Sequence, residues 1–182
     1  VPQIVIPYVA TKKDIADMSP VPWNKRALIL LAGHIPKQKF STVRAKVAQT
    51  LKNVTDATVS VGINRLPVEY YAKSVFEHKF CVVAEGDTKS TKKIAEIMVV
   101  GANGGCIPLL IRGVTKPYTR NLYTRSTIGV SRVDSSTISF LRTINETKYA
   151  VMITELQRVE KFFSQPTAIE YNTEKLEEYE VK

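Results

Sequence analysis

Short apolar runs alternate along this chain with segments whose apolar residues recur at the spacing of a helix. The runs have the continuous apolar character of strands that are buried on both faces of a sheet. They predict strands at residues 27–32, 57–61, 80–84, 107–111 and 127–130. The helical spacing predicts helices at residues 40–51, 67–75, 94–99, 134–144 and 146–163. Ser41 or Thr42 is expected to cap the first of these helices, and Asn145 the last.

The alternation of strands with helices predicts the fold class: an α/β, Rossmann-like three-layer domain with a mostly parallel sheet and right-handed crossovers. The domain is expected to span residues 1–169, and an acidic C-terminal tail follows at residues 170–182. In an open sheet of this kind, ligands lie beyond the carboxyl ends of the strands. That rule points to the turns at residues 33–39 and 85–93 as the places to look for a site.

The charge of the chain indicates an anionic partner or a soluble basic surface. Its 182 residues include 26 Lys and Arg against 17 Asp and Glu, which gives a formal net charge of +9. Nucleic acid is disfavoured as the partner, because the basic residues are spread widely and no recognition motif with aromatic platforms is present. No transmembrane segment is expected, since no apolar run approaches the roughly 20 residues of a membrane-spanning helix.

The turn at residues 85–93 has the features of an anion site. Ser90 or Thr91 can cap the helix that follows, whose free N–H groups and dipole attract negative charge. Three cations lie in its first turn: Lys89, Lys92 and Lys93. Cations oppose the helix dipole at this end, and a bound phosphate would remove the conflict.

Glu96 follows these lysines on the same face of the predicted helix. A carboxylate just beyond a phosphate site can accept hydrogen bonds from both hydroxyls of a ribose. The plainer alternative is an exposed Lys–Glu pair on a helix surface, formed with Lys92 or Lys93. Both interpretations fit the spacing.

The histidines and cysteines point to structure rather than to a metal. His34 and His78 have no Cys, His or carboxylate partner at metal-ligand spacing, so no metal site is expected. Cys81 and Cys106 each begin a predicted buried strand, which favours inert core thiols. A disulfide between them would need adjacent strands and Cβ atoms about 4 Å apart.

Two segments match the acceptor pattern for N-glycosylation. They are Asn53-Val54-Thr55 and Asn145-Glu146-Thr147. Patterns this short also occur by chance, so Asn53 and Asn145 are candidate acceptors on pattern alone.

A longer stretch around the lysines resembles the signature of a known family. Residues 79–97 read KFCVVAEGDTKSTKKIAEI, which is similar to the exostosin-family glycosyltransferase pattern S-K-F-C-L-x-P-x-G-D-T-P-S-S-R-R-L-F-E-A-I. Residues 105–111, GCIPLLI, resemble the family's G-C-I-P-V-I-V. Weaker similarities occur at residues 4–8, 27–44 and 149–159, so the resemblance covers residues 1–163 in order.

The resemblance implies one half of a GT-B glycosyltransferase, the C-terminal half that binds a nucleoside-diphosphate sugar for transfer to a glycan acceptor. The acceptor-binding half is expected to lie outside this chain, and the resemblance identifies no catalytic residue. It places the donor contacts at Ser90, Thr91, Lys92 and Lys93 for the diphosphate, Glu96 for the ribose, and Gly33, His34 and Arg44 near the other diphosphate loop. It also implies metal-independent chemistry with no cofactor, hexosyl or pentosyl transfer if the domain is active, and a Golgi or secretory-lumen location.

Several departures from the family pattern keep a second hypothesis open. Both arginines of the signature are lysines here, and lysine lacks the bidentate fork that grips a phosphate. The usual proline is Lys89, residues 112–113 are Arg-Gly where Ser-Asp is usual, and residues 101–104 are expected to lengthen the turn between helix and strand. The alternative is therefore a degenerate domain that serves as a structural or accessory subunit beside neighbouring protein subunits.

Overall fold

The structure is a computed structural model that describes residues 18–33, 42–62, 66–85, 93–114 and 125–163. These residues include five strands: β1 (Ala27–Gly33), β2 (Ala57–Val61), β3 (His78–Val83), β4 (Ile107–Ile111) and β5 (Ile128–Val130). They include five α-helices: α1 (Val43–Leu51), α2 (Val68–Glu77), α3 (Lys93–Ala102), α4 (Ser135–Arg142) and α5 (Glu146–Val159). Short 3-10 turns lie at Trp23–Lys25 and Glu160–Phe162. Each predicted strand and helix is present, with boundaries that differ from the prediction by a few residues.

The strands form one all-parallel sheet in the order β2-β1-β3-β4-β5. Ile29 of β1 pairs with Ala57 on one side and with Phe80 on the other, so β1 lies inside the sheet. Helices flank the sheet, and α3 packs between α2 and α5 in one of the outer layers. The predicted Rossmann-like three-layer α/β fold is confirmed.

The burial of the central strands explains why their apolar runs are continuous rather than alternating. All five residues of β4 are buried, and five of the six in β3. Both faces of these strands are covered by helices, so the positions from Phe80 to Val83 and throughout β4 are apolar, and the buried His78 at the start of β3 is an exception. The edge strands β2 and β5 are only half-buried in most positions.

Side-chain caps begin three of the helices at the positions that the sequence marks. Thr42 accepts a hydrogen bond from the Ala45 N–H, and Asn145 accepts one from the Lys148 N–H. Asp134 caps α4 in the same way through the Thr137 N–H. Each cap satisfies one of the backbone donors that a helix leaves unpaired at its start. Thr42 and Asn145 are confirmed as caps.

The expectation of a lengthened turn after α3 is only partly right. Gly101 and Ala102 belong to the helix, so the turn begins at Asn103. A Cβ on Gly101 would lie 2.6 Å from Leu156 Cδ1, so the missing side chain lets α3 approach α5 closely. Half of the inserted residues therefore extend the helix and shape its packing.

The expectation of two free core thiols is wrong. Cys81 and Cys106 form a disulfide with a Cα–Cα distance of 5.6 Å, and both are buried. Phe80 of β3 pairs with Ile107 of β4. Cys81 follows Phe80 and Cys106 precedes Ile107, so the two cysteines lie diagonally across the two neighbouring strands. The adjacency that a disulfide needs is a property of the strand order, which local sequence does not state.

Candidate functional site

The strand order creates a crevice at the carboxyl ends of β1 and β3. The chain leaves β1 toward β2 and leaves β3 toward β4, in opposite directions across the sheet. In a doubly wound sheet the two crossovers then separate at this point, and ligands bind in the gap between them. Helices α1 and α3 end shortly before the strands β2 and β4 begin, so their N-termini point toward this same carboxyl edge.

Arg44 connects the two strands at the crevice. Its Nη2 donates a hydrogen bond of 3.2 Å to the Ala84 carbonyl, directly after β3. Its Nη1 lies 3.4 Å from where a Cβ on Gly33 would stand, so the guanidinium rests against the last residue of β1. Arg44 is in the first turn of α1 and is half-buried. The structure thus brings together Gly33 and Arg44, two of the predicted site residues.

A carboxylate lies at the next position along the edge. Glu85 follows β3, and its Oε2 lies 3.3 Å from where a Cβ on Gly113 would stand. Gly113 follows β4 and has a φ of +109°, a conformation that side chains strongly disfavour. The glycine therefore permits both the turn and the close approach of the carboxylate. Sequence reasoning did not predict this contact, although Glu85 directly follows one predicted strand and Gly113 lies two residues beyond the end of another.

Lys93 and Glu96 form a second cluster at the start of α3, together with Tyr71 of α2. Lys93 Nζ lies 3.2 Å from Glu96 Oε2, and the side chains are 20% and 28% exposed. The same Nζ lies 3.7 Å from the centre of the Tyr71 ring, a close cation–π contact. The Lys–Glu pair expected as the plainer alternative is therefore formed, but it is largely buried rather than exposed.

Tyr71 contributes a polar group that sequence reasoning did not single out. Its hydroxyl is buried and has no hydrogen-bond partner within the described part of the chain. Burial, and then the nearby Glu96 carboxylate, raise the pKa of Tyr71 well above its usual value, so the phenol stays protonated. A buried hydroxyl without a partner costs free energy. The helical spacing of Tyr71 predicted only an apolar core contact.

The other predicted residues divide into two groups. Ser90, Thr91, Lys92, Lys89 and His34 lie outside the described residues. Asn53 and Asn145 are described and exposed, and they lie away from the crevice.

His78 has a structural environment. Its Nδ1 donates to the Ser74 carbonyl at 2.7 Å, and its Nε2 accepts from the Thr58 hydroxyl at 2.7 Å. Burial lowers the pKa of His78, and the Ser74 carbonyl and Glu77 oppose the shift only in part. Both ring nitrogens of the neutral imidazole are thus used within the fold.

Among the described residues, no three His, Cys, Asp or Glu side chains converge in a way that would hold a metal ion. Nor is any helix of that part of the chain long and apolar enough to cross a membrane. In comparisons with known proteins, no family model and no curated protein sequence matches this chain.

Proposed function

We propose that this domain binds a nucleoside-diphosphate sugar at the carboxyl edge of its sheet and acts as the donor-binding half of a glycosyltransferase. The observation that carries the proposal is the position of Arg44, which spans from Gly33 to the Ala84 carbonyl at the crevice between β1 and β3. A guanidinium at this point of a doubly wound sheet lies where ligands of such folds bind.

The electrostatics of the edge favour an anion. The N-termini of α1 and α3 carry partial positive charge, and Arg44 and Lys93 add full charges in their first turns. Lys93 is already paired with Glu96, and Arg44 already donates to the Ala84 carbonyl, so a diphosphate would add to these contacts. A phosphate beside the two helix N-termini would be stabilised by both helix dipoles and by both positive charges, which supports a phosphate-bearing ligand.

The carboxylates at the edge suit the remainder of such a ligand. Glu85 and Glu96 are acceptors that ribose or sugar hydroxyls can donate to. The family resemblance assigns the ribose to Glu96, and the position of Glu85 after β3 supports a hydroxyl contact there as well. Phosphate-binding cations beside hydroxyl-binding carboxylates fit a nucleotide sugar better than a simple phosphate.

These groups indicate which part of the transfer reaction this domain carries out and which part the acceptor-binding half carries out. An acceptor hydroxyl attacks the anomeric carbon, the bond to the diphosphate breaks, and a base in the acceptor-binding half takes the proton. Arg44, Lys93 and the helix N-termini stabilise the negative charge that grows on the leaving diphosphate. This domain therefore contributes donor binding and leaving-group stabilisation, which the family resemblance implies takes place without a metal ion.

Isothermal titration calorimetry with UDP and with GDP tests the proposal. Binding is expected, and Arg44→Met should weaken it by about tenfold or more, the loss expected for a hydrogen bond to a charged group. Lys46→Met is the matched control, because Lys46 is exposed on the same helix and its replacement removes the same positive charge. A folded chain that binds no nucleoside diphosphate at millimolar concentration would overturn the proposal.

One observation favours an accessory subunit as the second candidate. Lys93 is already paired with Glu96 and covered by Tyr71, and Arg44 already has the Ala84 carbonyl as an acceptor. Cations engaged in this way serve to hold the edge together without a ligand. In that case Arg44→Met lowers the thermal stability of the chain, and no nucleotide changes its melting temperature.

A further inference from the structure

The two N-glycosylation acceptor patterns lie at the surface, one in the connection between α1 and β2 and the other at the start of α5. Asn53 and Thr55 are both exposed in the connection between α1 and β2. Asn145 and Thr147 are both exposed where α4 gives way to α5. A glycan is bulky and solvated and therefore requires such surface positions. Both patterns meet this requirement at the asparagine and at the hydroxyl residue.

The hydrogen bonding of each asparagine leaves its amide nitrogen available. Asn145 caps α5 with its Oδ1, which accepts from the Lys148 N–H at 2.9 Å. The glycan bond forms at Nδ2, so the cap and the modification use different atoms of one side chain. Asn53 makes no side-chain hydrogen bond to the other described residues, and its amide is open to solvent.

Both acceptors lie at the amino edge of the sheet, opposite the crevice. The Asp56 carbonyl, three residues beyond Asn53, accepts from the Leu28 N–H at 2.7 Å near the start of β1. Asp56 also pairs with Arg142 at 2.7 Å, and Arg142 ends α4 just before Asn145. The two turns are thus neighbours, and a glycan on either would leave the carboxyl edge uncovered.

The disulfide supplies an independent indication of the compartment. Cys81 and Cys106 are oxidised, and structural disulfides form and persist in secretory and extracellular compartments but are rare in the cytosol. N-glycosylation takes place in that same lumen. Both features therefore require one location, although they involve different residues and different chemistry.

We propose that Asn53 and Asn145 carry N-linked glycans and that the chain folds in an oxidising secretory lumen. At each site a bond forms between Nδ2 and the anomeric carbon of an oligosaccharide. The bond from that carbon to a lipid diphosphate breaks, and the amide loses one proton. This inference is independent of the proposed nucleotide binding.

Mass spectrometry of the chain purified from the cells that make it tests the inference. Treatment with peptide N-glycosidase in heavy-oxygen water should convert Asn53 and Asn145 to labelled aspartates. The peptides that contain Cys81 and Cys106 should remain joined until a reductant is added. An unlabelled asparagine overturns the proposal for that site, and free thiols in the isolated chain overturn the proposed compartment.

Variants separate glycan loss from structural damage. In secretory expression, Thr55→Ala should remove only the glycan at Asn53, and Thr147→Ala only the glycan at Asn145. Asn145→Asp should lose the glycan and keep the helix cap, because aspartate also caps helices. If Thr147→Ala retains the full mass of the glycosylated chain, the assignment to Asn145 is wrong.

Discussion

Arg26 and Tyr149, 123 residues apart in the chain, hold the same turn between α3 and β4. The Arg26 guanidinium donates to the carbonyls of Gly104 and Gly105 and to the Tyr149 hydroxyl, and that hydroxyl lies 2.8–2.9 Å from the same two carbonyls. Arg26 is only 8% exposed, so its charge is solvated by these acceptors. The amino edge of the sheet is thereby tied to the first turn of α5.

Removing either partner of this arrangement should destabilise the fold. Arg26→Met is expected to lower the free energy of unfolding by about 2–3 kcal/mol, because it removes several charge-assisted hydrogen bonds. Tyr149→Phe should cost about 1–2 kcal/mol, since only one hydroxyl is lost. Urea denaturation of both variants and of the double variant measures the coupling. Strictly additive losses would contradict a shared arrangement.

Reduction of the disulfide should lower stability as well. The disulfide closes a loop of 25 residues between Cys81 and Cys106 and so restricts the unfolded chain, which corresponds to about 3.5 kcal/mol at 25 °C in the chain-entropy treatment. Thermal unfolding with and without reductant measures the difference. The Cys81→Ala, Cys106→Ala double variant is the control, and its melting temperature should not respond to the reductant.

The Tyr71 hydroxyl, which has no hydrogen-bond partner among the described residues, gives the opposite expectation from the Tyr149 hydroxyl. Tyr71→Phe removes a buried polar atom without such a partner, so the free energy of unfolding should stay unchanged or rise by up to about 1 kcal/mol. The ring that covers Lys93 is kept. Chemical denaturation of Tyr71→Phe and of Tyr149→Phe under the same conditions compares their free energies of unfolding. A loss above about 1 kcal/mol would show that the hydroxyl has a partner in solution.

The lowered pKa of His78 predicts a loss of stability in mild acid. The unfolded chain binds the proton more readily than the folded chain, so stability is fully present above the ordinary pKa of about 6.5 and falls as the pH drops below it. The free energy of unfolding measured from neutral pH to pH 5 should show this slope. His78→Gln should flatten it. An unchanged slope in His78→Gln would assign the dependence to another group.

Local sequence predicted the elements well and the contacts between them poorly. The strand runs and the caps Thr42 and Asn145 depend on neighbouring residues alone, so a pattern is enough to find them. The free-thiol expectation failed for Cys81 and Cys106 because their proximity depends on which strands are adjacent. In the candidate site, Arg44 and Gly33 were indicated by position and resemblance, but the Ala84 acceptor was not.

The sequence by itself determined the order of strands and helices, the parallel sheet that this alternation requires, and the basic residues at helix starts. These follow from burial, helix spacing and capping, which act over a few residues. Only the tertiary structure decided that β3 lies beside β1, that Glu85 meets Gly113, and that Lys93 rests on Tyr71. Those contacts depend on how distant segments cross the sheet and pack, since each segment alone is compatible with several neighbours.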